Sequence, residues 1–93
     1  MTRYACPCCG FMTMGEAPGA GTYDICPVCF WEDDPVQFED PDFGGGANKE
    51  SLRQSQQNFI LFGACSNDMI KHVRKPNKDE IKDPTWSPLA PSI

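Results

Sequence analysis

Two pairs of cysteines stand out in this 93-residue chain, because each pair has the spacing that lets two thiols bind one metal ion. Two residues separate Cys6 from Cys9, and two residues separate Cys26 from Cys29. Zinc binds four sulfur or nitrogen ligands in a tetrahedron, and paired cysteines of this spacing are typical of structural zinc sites. The sequence therefore predicts one ion held by Cys6, Cys9, Cys26 and Cys29.

A sharp backbone turn inside each pair must bring its two sulfurs to the same ion. Pro7 and Pro27 follow the first cysteine of each pair, and proline presets φ for such a turn. Gly10 follows the first pair and can adopt a positive φ, which directs backbone N–H groups at the sulfurs. Phe30 holds the equivalent position after the second pair, so the conformation of that turn stays open. Ligation by the second pair does not depend on it.

Six cysteines in a short chain also fit a disulfide framework, which is the competing interpretation. We expect a cytoplasmic protein instead, since no apolar signal segment precedes the first cysteine. Cytosolic thiols stay reduced and free to bind metal. Zinc is the expected ion, one per chain, and iron is the alternative because it also binds four thiolates.

The other candidate ligands are expected to play no part in the metal site. Cys8 should point away from the ion as a small packed or exposed thiol, with exchange into the ligand set and a redox role as alternatives. Cys65 and His72 are seven positions apart, which on a helix means a rise of about 10 Å, too far to share one ion. We expect Cys65 in the core and His72 exposed and non-catalytic.

Charge is distributed unevenly along the chain. Residues 1–46 carry eight acidic side chains and one basic side chain, whereas residues 47–93 carry seven basic and five acidic ones. An acidic surface attracts a basic protein partner and repels nucleic acid, whose binding proteins need a basic footprint. No segment has the run of about 20 apolar residues that a membrane-spanning helix needs, so no membrane partner is expected.

Residues 30–46 combine six acids with four large aromatic residues and contain no base. We expect the aromatic rings of Trp31 and Phe38 to pack inward while the carboxylates face water. The carboxylates match neither a catalytic pair nor a calcium loop, so no catalytic residue is predicted. The residues that a partner is expected to contact are Trp31, Glu32, Asp33, Asp34, Phe38 and Asp40.

The pattern predicts a small α+β fold: a knuckle hairpin like that of a zinc ribbon or rubredoxin, then a helical C-terminal half and an extended tail. The hairpin strands are expected at residues 11–14 and 22–25. Asn48 is the predicted N-cap of a helix over residues 49–63, whose apolar end at residues 59–62 is expected to be its most buried part. Ser66 or Asn67 is the predicted N-cap of a second helical segment ending at residue 73, with Met69, Ile70 and Val73 facing inward. The predicted domain covers residues 1–76, divided into a zinc ribbon (1–30), an acidic loop (31–47) and a helical part (48–76), and residues 77–93 form the tail.

These motifs together resemble the cysteine-rich CPCC domain family of small bacterial proteins. The resemblance covers roughly residues 4–76 and rests on residues 4–11, 21–34, 45–48, 51–52, 58–59, 62–63 and 73–76. It implies a small cytosolic protein that binds metal through the four cysteines named above, and it brings no settled activity. A looser similarity is to rubredoxin, in which paired knuckles hold one iron.

Three functions fit the sequence. A zinc-binding, non-enzymatic interaction module comes first, because four thiolates leave no coordination position open for a substrate. One version of it is an immunity-type inhibitor that masks a basic toxin. A rubredoxin-like electron-transfer protein with iron in the same site is the second. A nucleic-acid-binding zinc ribbon is the third, and its only support is a set of basic residues near the C-terminus: Lys71, Arg74, Lys75, Lys78 and Lys82.

Overall fold

The computed structural model describes residues 3–90, in which regular secondary structure is sparse. Two short strands come first, β1 at Tyr4–Ala5 and β2 at Met12–Met14. Helices α1 at Pro35–Glu39 and α2 at Leu52–Phe62 follow, and then a 3₁₀ helix at Asn67–His72. The chain is thus a small α+β protein, as predicted. Among the described residues, no helix is long and apolar enough to cross a membrane.

Strands β1 and β2 pair antiparallel with each other around the first cysteine pair. The predicted hairpin between residues 11–14 and 22–25 is therefore wrong. Tyr23 has a positive φ of 57°, which interrupts an extended strand. Ile25 makes only an isolated bridge, to Glu32 on the far side of the second cysteine pair. Each pair of cysteines thus closes its own small loop.

The core of the protein is built around sulfur. Few large aliphatic side chains are buried, and the cluster consists of the cysteines with a handful of apolar partners. Phe11, Phe30, Phe59 and Met69 pack against it from partly buried positions. Its buried members are Cys6, Cys8, Cys9, Met14, Cys26, Val28, Cys29, Trp31, Leu52 and Cys65.

Helix α2 begins at Leu52, later than predicted, and its N-cap is Ser51, whose side chain accepts a hydrogen bond from a first-turn N–H at 3.1 Å. The predicted N-cap, Asn48, instead forms hydrogen bonds with the backbone of Glu32, close to the second cysteine pair. Gly63 ends the helix with a φ of 81°, the left-handed conformation that glycine adopts without strain.

The apolar end of α2 is exposed, although the sequence predicted it to be the most buried part of the helix. Ile60 is 60% exposed, Leu61 is 77% exposed and Phe62 is 39% exposed. Only Phe59 from this run packs inward, with its ring edge against Phe11 at 6.3 Å between centroids. Consecutive helical residues point in different directions, so one contact layer cannot cover all of them.

The 3₁₀ helix starts at the predicted place, with Ser66 as its N-cap. Met69 and Val73 are half-buried, as the predicted inward face requires, but Ile70 is 44% exposed. A 3₁₀ helix has three residues per turn, so the inward spacing expected of an α-helix does not apply.

Residues 77–90 contain no helix and lie along the first cysteine loop, while residues 91–93 of the predicted tail fall outside the described part of the chain. The backbone N–H of Met12 donates to Ile81, and that of Asp83 donates to Gly10, both at 2.9 Å. Farther on, the indole N–H of Trp86 donates to the carbonyl of Pro7 at 3.2 Å. This segment therefore covers the first cysteine loop.

An ion pair fixes the start of this C-terminal segment. Two guanidinium nitrogens of Arg74 donate to the two carboxylate oxygens of Glu80, at 2.7 and 2.8 Å. The backbone N–H of Arg74 also donates to the carbonyl of Pro27, at 3.2 Å. The guanidinium holds the pKa of the buried Glu80 carboxyl below its ordinary value. The pair ties the segment to the second cysteine loop.

Replacing Gly10 with alanine should destabilise the protein more than an ordinary glycine substitution. Gly10 has a φ of 81°, and an added Cβ would overlap the Trp86 ring. We expect Gly10→Ala to lower the free energy of unfolding of the metal-loaded protein by about 2–4 kcal/mol, from backbone strain plus overpacking. Gly21→Ala is the matched control, because its φ is 83° and nothing lies within 4 Å of its Cβ. Equal losses in urea unfolding would contradict this packing.

Candidate metal centre

The structure brings the four predicted ligands together. The sulfur atoms of Cys6, Cys9, Cys26 and Cys29 all lie within 4.8 Å of one another, and all four residues are fully buried. The Sγ atoms of Cys6 and Cys29 are 3.6 Å apart, and those of Cys9 and Cys26 are 3.7 Å apart. A tetrahedral zinc ion with bonds of about 2.3 Å has sulfur–sulfur edges of about 3.8 Å. The group could therefore hold one such ion, and all six cysteines of the chain are free of disulfides.

The first cysteine loop closes through two backbone hydrogen bonds. The N–H of Gly10 donates to the carbonyl of Cys6 at 2.8 Å, and the N–H of Cys6 donates to that of Phe11 at 2.9 Å. Strands β1 and β2 continue from the two ends of this loop. The positive φ of Gly10 lets the chain turn back immediately after Cys9.

The second loop repeats this geometry, which answers the question that Phe30 raised. The N–H of Phe30 donates to the carbonyl of Cys26 at 2.7 Å, and the N–H of Cys26 donates to that of Trp31 at 2.9 Å. Phe30 has a φ of 71° and so adopts the same left-handed conformation as glycine does in the first loop. Its ring stacks on His72, with centroids 5.1 Å apart, and this contact offsets part of the conformational cost.

Two further groups donate hydrogen bonds to the sulfurs. The hydroxyl of Thr13, on β2, lies 3.0 Å from the Sγ of Cys26. The backbone N–H of Trp31 lies 3.4 Å from the Sγ of Cys29. Donors of this kind stabilise thiolates and orient them toward a metal.

A cysteine-rich CPCC family model matches residues 4–80. The chain belongs to the cysteine-rich CPCC family. The resemblance inferred from the motifs is thereby confirmed, and the match extends beyond them to Glu80, the partner of Arg74. The comparison with curated proteins finds no match.

The second cysteine of the CPCC motif, Cys8, lies outside the four-sulfur group. It is buried, and burial raises the pKa of its thiol. Burial is the main cause that raises the pKa of Cys65 to about 12, so this thiol stays protonated near neutral pH. Cys65 is thus a core cysteine, as predicted, and its N–H donates to the carbonyl of Cys29 at 2.8 Å.

Negative charge on buried thiolates is unfavourable and decides what this site can bind. Burial raises the pKa of the Cys6 and Cys29 thiols, and hydrogen bonds from neighbouring thiols, chiefly that of Cys29, lower the pKa of Cys26. Several thiolates in so small a buried space would place like charges side by side. A divalent ion would compensate these charges, so metal binding and thiol deprotonation would occur together.

Cys65 and His72, which the sequence analysis expected not to share an ion, lie in different environments. His72 is exposed and lies against Phe30, as described above, whereas Cys65 is buried.

The predicted partner face is largely inside the protein, which corrects the sequence-based picture. Trp31 is 0% exposed, Asp33 is 1% exposed and Asp34 is 6% exposed, so these three cannot reach a partner in this conformation. The packing expected of Trp31 is confirmed, but the two aspartates do not face water. Glu32 is half-buried, and only Phe38 and Asp40 are exposed.

The buried aspartates are held by backbone N–H groups. One oxygen of Asp33 accepts from Gly19 at 3.0 Å. Asp34 is the N-cap of α1: one of its oxygens accepts from Val36 at 2.8 Å, and the other accepts from Ala47 at 2.9 Å. These bonds, that from Ala47 above all, hold the pKa of Asp34 below its ordinary value. Both carboxylates therefore serve the fold and bind segments together.

Gln37 and Asn48 complete this network, and the sequence analysis assigned neither of them this role. The fully buried amide of Gln37 donates to the carbonyls of Phe43, Asn48 and Glu50 at 3.0–3.1 Å. Asn48 bonds both the N–H and the carbonyl of Glu32, at 2.9 and 2.8 Å. A signal was present, because an aspartate followed by proline, and by glutamine three residues on, is typical of a helix start.

Removing the hydroxyl of Thr13 should weaken metal binding without removing a ligand. We expect Thr13→Val to lower zinc affinity about tenfold, the lower end of the loss typical for hydrogen-bond partners of metal ligands. Thr13→Ser keeps the hydroxyl and should bind nearly as the wild type does. Competition with a chromophoric zinc chelator measures both. Wild-type affinity in Thr13→Val would show that the bond to Cys26 has no part in metal binding.

Proposed function

We propose that this chain is a non-enzymatic, zinc-stapled protein-interaction module. The observation that carries the proposal is the closed group of four buried sulfurs at tetrahedral spacing. An ion with four protein sulfurs has no position left for a substrate or a reactive water, so its role is to hold the fold. In this view the two cysteine loops form a zinc-ribbon-like clamp, and the rest of the chain presents a binding surface.

Zinc is the metal we propose, and the geometry also fits iron. A redox role for iron would make the protein a rubredoxin-like electron carrier, which is the second candidate. Zinc is favoured because the group joins the two cysteine loops within the buried core, which also contains residues of β2 and α2, as a structural ion does.

The surface we propose for a partner is a groove of about 420 Å³ beside α1. It is mainly apolar, and apolar grooves with aromatic walls accept extended peptide segments. Phe38 from the predicted face lines it, as does Pro41. The exposed Glu39 and Asp40 lie between these two residues in the sequence and have no ion-pair partner among the described residues. The other lining residues are Tyr4, Ala5, Pro7, Pro18, Pro41, Leu52, Gln56, Asp83, Trp86, Ser87 and Leu89.

Charge supports a basic protein as the occupant. The chain has a net charge of −5, and opposite charge across an interface speeds association and selects partners. The most specific version is an immunity-type inhibitor, in which this acidic module covers a basic toxin. Its support is the size and charge of the chain.

A nucleic-acid partner is disfavoured, because two of the five basic residues that would support it are engaged within the protein. Arg74 pairs with Glu80, and the ammonium group of Lys82 lies 5.6 Å from the centre of the Phe11 ring and 5.2 Å from that of Trp86. The remaining three do not outweigh the acidic first half of the chain.

Metal removal tests the structural role of the ion. Exhaustive chelation under reducing conditions should unfold the chain, and stoichiometric zinc should restore it. The reason is that a structural zinc contributes about 10–16 kcal/mol, which exceeds the net stability of most small domains. Circular dichroism and gel filtration follow the change, and elemental analysis of the starting sample identifies the metal. A chain that stays compact without metal would contradict the proposal, and a coloured iron form would favour electron transfer.

Charge reversal tests the binding surface. The double substitution Glu39→Lys and Asp40→Lys should reduce capture of basic proteins from a lysate at least about tenfold, because it reverses the charge beside the groove. Asp79→Lys is the control, since Asp79 is exposed and does not line the groove. Equal capture by both variants and the wild type would remove the acidic groove from the proposal while leaving the metal clamp intact.

A further inference from the structure

Three aromatic rings line the groove beside α1, and each comes from a different part of the chain. Tyr4 belongs to β1, Phe38 to α1 and Trp86 to the C-terminal segment. Two of the rings pack closely on glycine backbone: a Cβ added to Gly19 would lie 2.8 Å from the Phe38 ring, and one added to Gly10 would overlap the Trp86 ring. The walls are therefore held in place before any occupant arrives, which lowers the entropic cost of binding.

The prolines along the groove disfavour an occupant that pairs as a β-strand. Three lining residues lack a backbone N–H because they are prolines: Pro7, Pro18 and Pro41. The carbonyl of Pro7 already accepts from the Gln56 amide at 2.8 Å and from the Trp86 indole at 3.2 Å. The carbonyl of Pro41 accepts from the N–H of Arg53 at 2.9 Å. The occupant must therefore do without backbone pairing, as a polyproline II segment does, since its backbone stays solvated.

The charge of the groove is acidic. Asp83 is the one charged side chain among the described residues that line it. Its carboxylate accepts from the N–H and the hydroxyl of Thr85, at 2.9 and 2.8 Å, and forms no ion pair within the described part of the chain. The unpaired Glu39 and Asp40, between two lining residues in the sequence, add to this charge.

The basic side chains of the adjoining segments do not cancel these acids. The guanidinium of Arg53 donates to both oxygens of Asp42, at 2.7 and 3.3 Å. The ammonium group of Lys82 lies 5.2 Å from the centre of the Trp86 ring but does not line the groove. Three acids without an ion pair thus outnumber one such base, and a basic group on the occupant is favoured.

We propose that the occupant of this groove is a proline-rich segment in polyproline II conformation that carries a basic residue beside its prolines. The pyrrolidine rings pack between the aromatic walls, and the basic side chain meets Asp83. Tyr4 is 39% exposed, and its hydroxyl can donate to a carbonyl of the segment. Such a segment is extended before it binds, so it loses little entropy in a groove that offers few hydrogen bonds. This inference rests on the proposed function, because it names the chemistry of the partner for the same groove.

A synthetic peptide with a run of prolines and one arginine beside it is the probe. Fluorescence anisotropy of the labelled peptide, titrated with the metal-loaded protein, should show saturable binding. Replacing the prolines with alanines should weaken binding at least about tenfold, because the peptide then loses its pre-formed shape. Replacing the arginine with glutamate should also weaken it at least about tenfold, through repulsion by the acids.

Variants of the protein locate the contact. Phe38→Ala should weaken binding at least about fivefold, because it removes one aromatic wall. Phe43→Ala is the matched control, since Phe43 is 42% exposed, close to the 37% of Phe38, and does not line the groove. Asp83→Asn keeps an acceptor for Thr85 and should weaken only the peptide that carries arginine. Each variant should retain one metal ion per chain and the wild-type circular dichroism.

Three results would overturn this inference: no binding of the proline peptide, equal binding of the alanine peptide, or full binding by Phe38→Ala. Failure here is distinct from failure of the proposed function. If reversing Glu39 and Asp40 lowers capture of basic proteins but the proline peptide does not bind, the partner is basic without being proline-rich, and only the present inference falls.

Discussion

Four buried sulfurs at contact distance impose the main physical constraint on this structure. The thiolates of the two cysteine loops can coexist at contact distance only with a cation between them. Little else in the core could replace that interaction, because the buried cluster is made mostly of cysteines and contains few large aliphatic residues. Each surrounding segment can be understood by how it attaches to this centre.

Hydrogen bonds between polar groups hold many segments of this protein together, a role that apolar packing has in larger proteins. Asp34, Gln37 and Asn48 tie together the segments between the second cysteine loop and α2, with each buried oxygen or nitrogen meeting a backbone group. Such networks are rigid because an unpaired buried polar group is costly. They also explain how an acidic, glycine-rich stretch adopts a defined structure, because its carboxylates accept hydrogen bonds from backbone N–H groups.

Spacing predicted the metal group well, because the two cysteine pairs are local motifs whose geometry hardly depends on the rest of the chain. The prediction of a strand at residues 22–25 was wrong because Tyr23 adopts a left-handed conformation, which no pattern in the sequence indicates. The exposure of Asp33 and Asp34 was misjudged because composition does not reveal which N–H groups a carboxylate will meet. Likewise, the apolar end of α2 suggested burial, but only a tertiary arrangement decides whether anything covers Ile60 and Leu61.

The two cysteine loops share one geometry but differ in the conformational energy of the residue that follows each cysteine pair. Gly10 is relaxed in its left-handed conformation and lies under Trp86, whereas Phe30 adopts a similar angle against its intrinsic preference. The two loops therefore contribute unequally to the stability of the site. The first holds Cys6 and Cys9 without backbone strain, whereas the second holds Cys26 and Cys29 at a conformational cost that the surrounding contacts must offset.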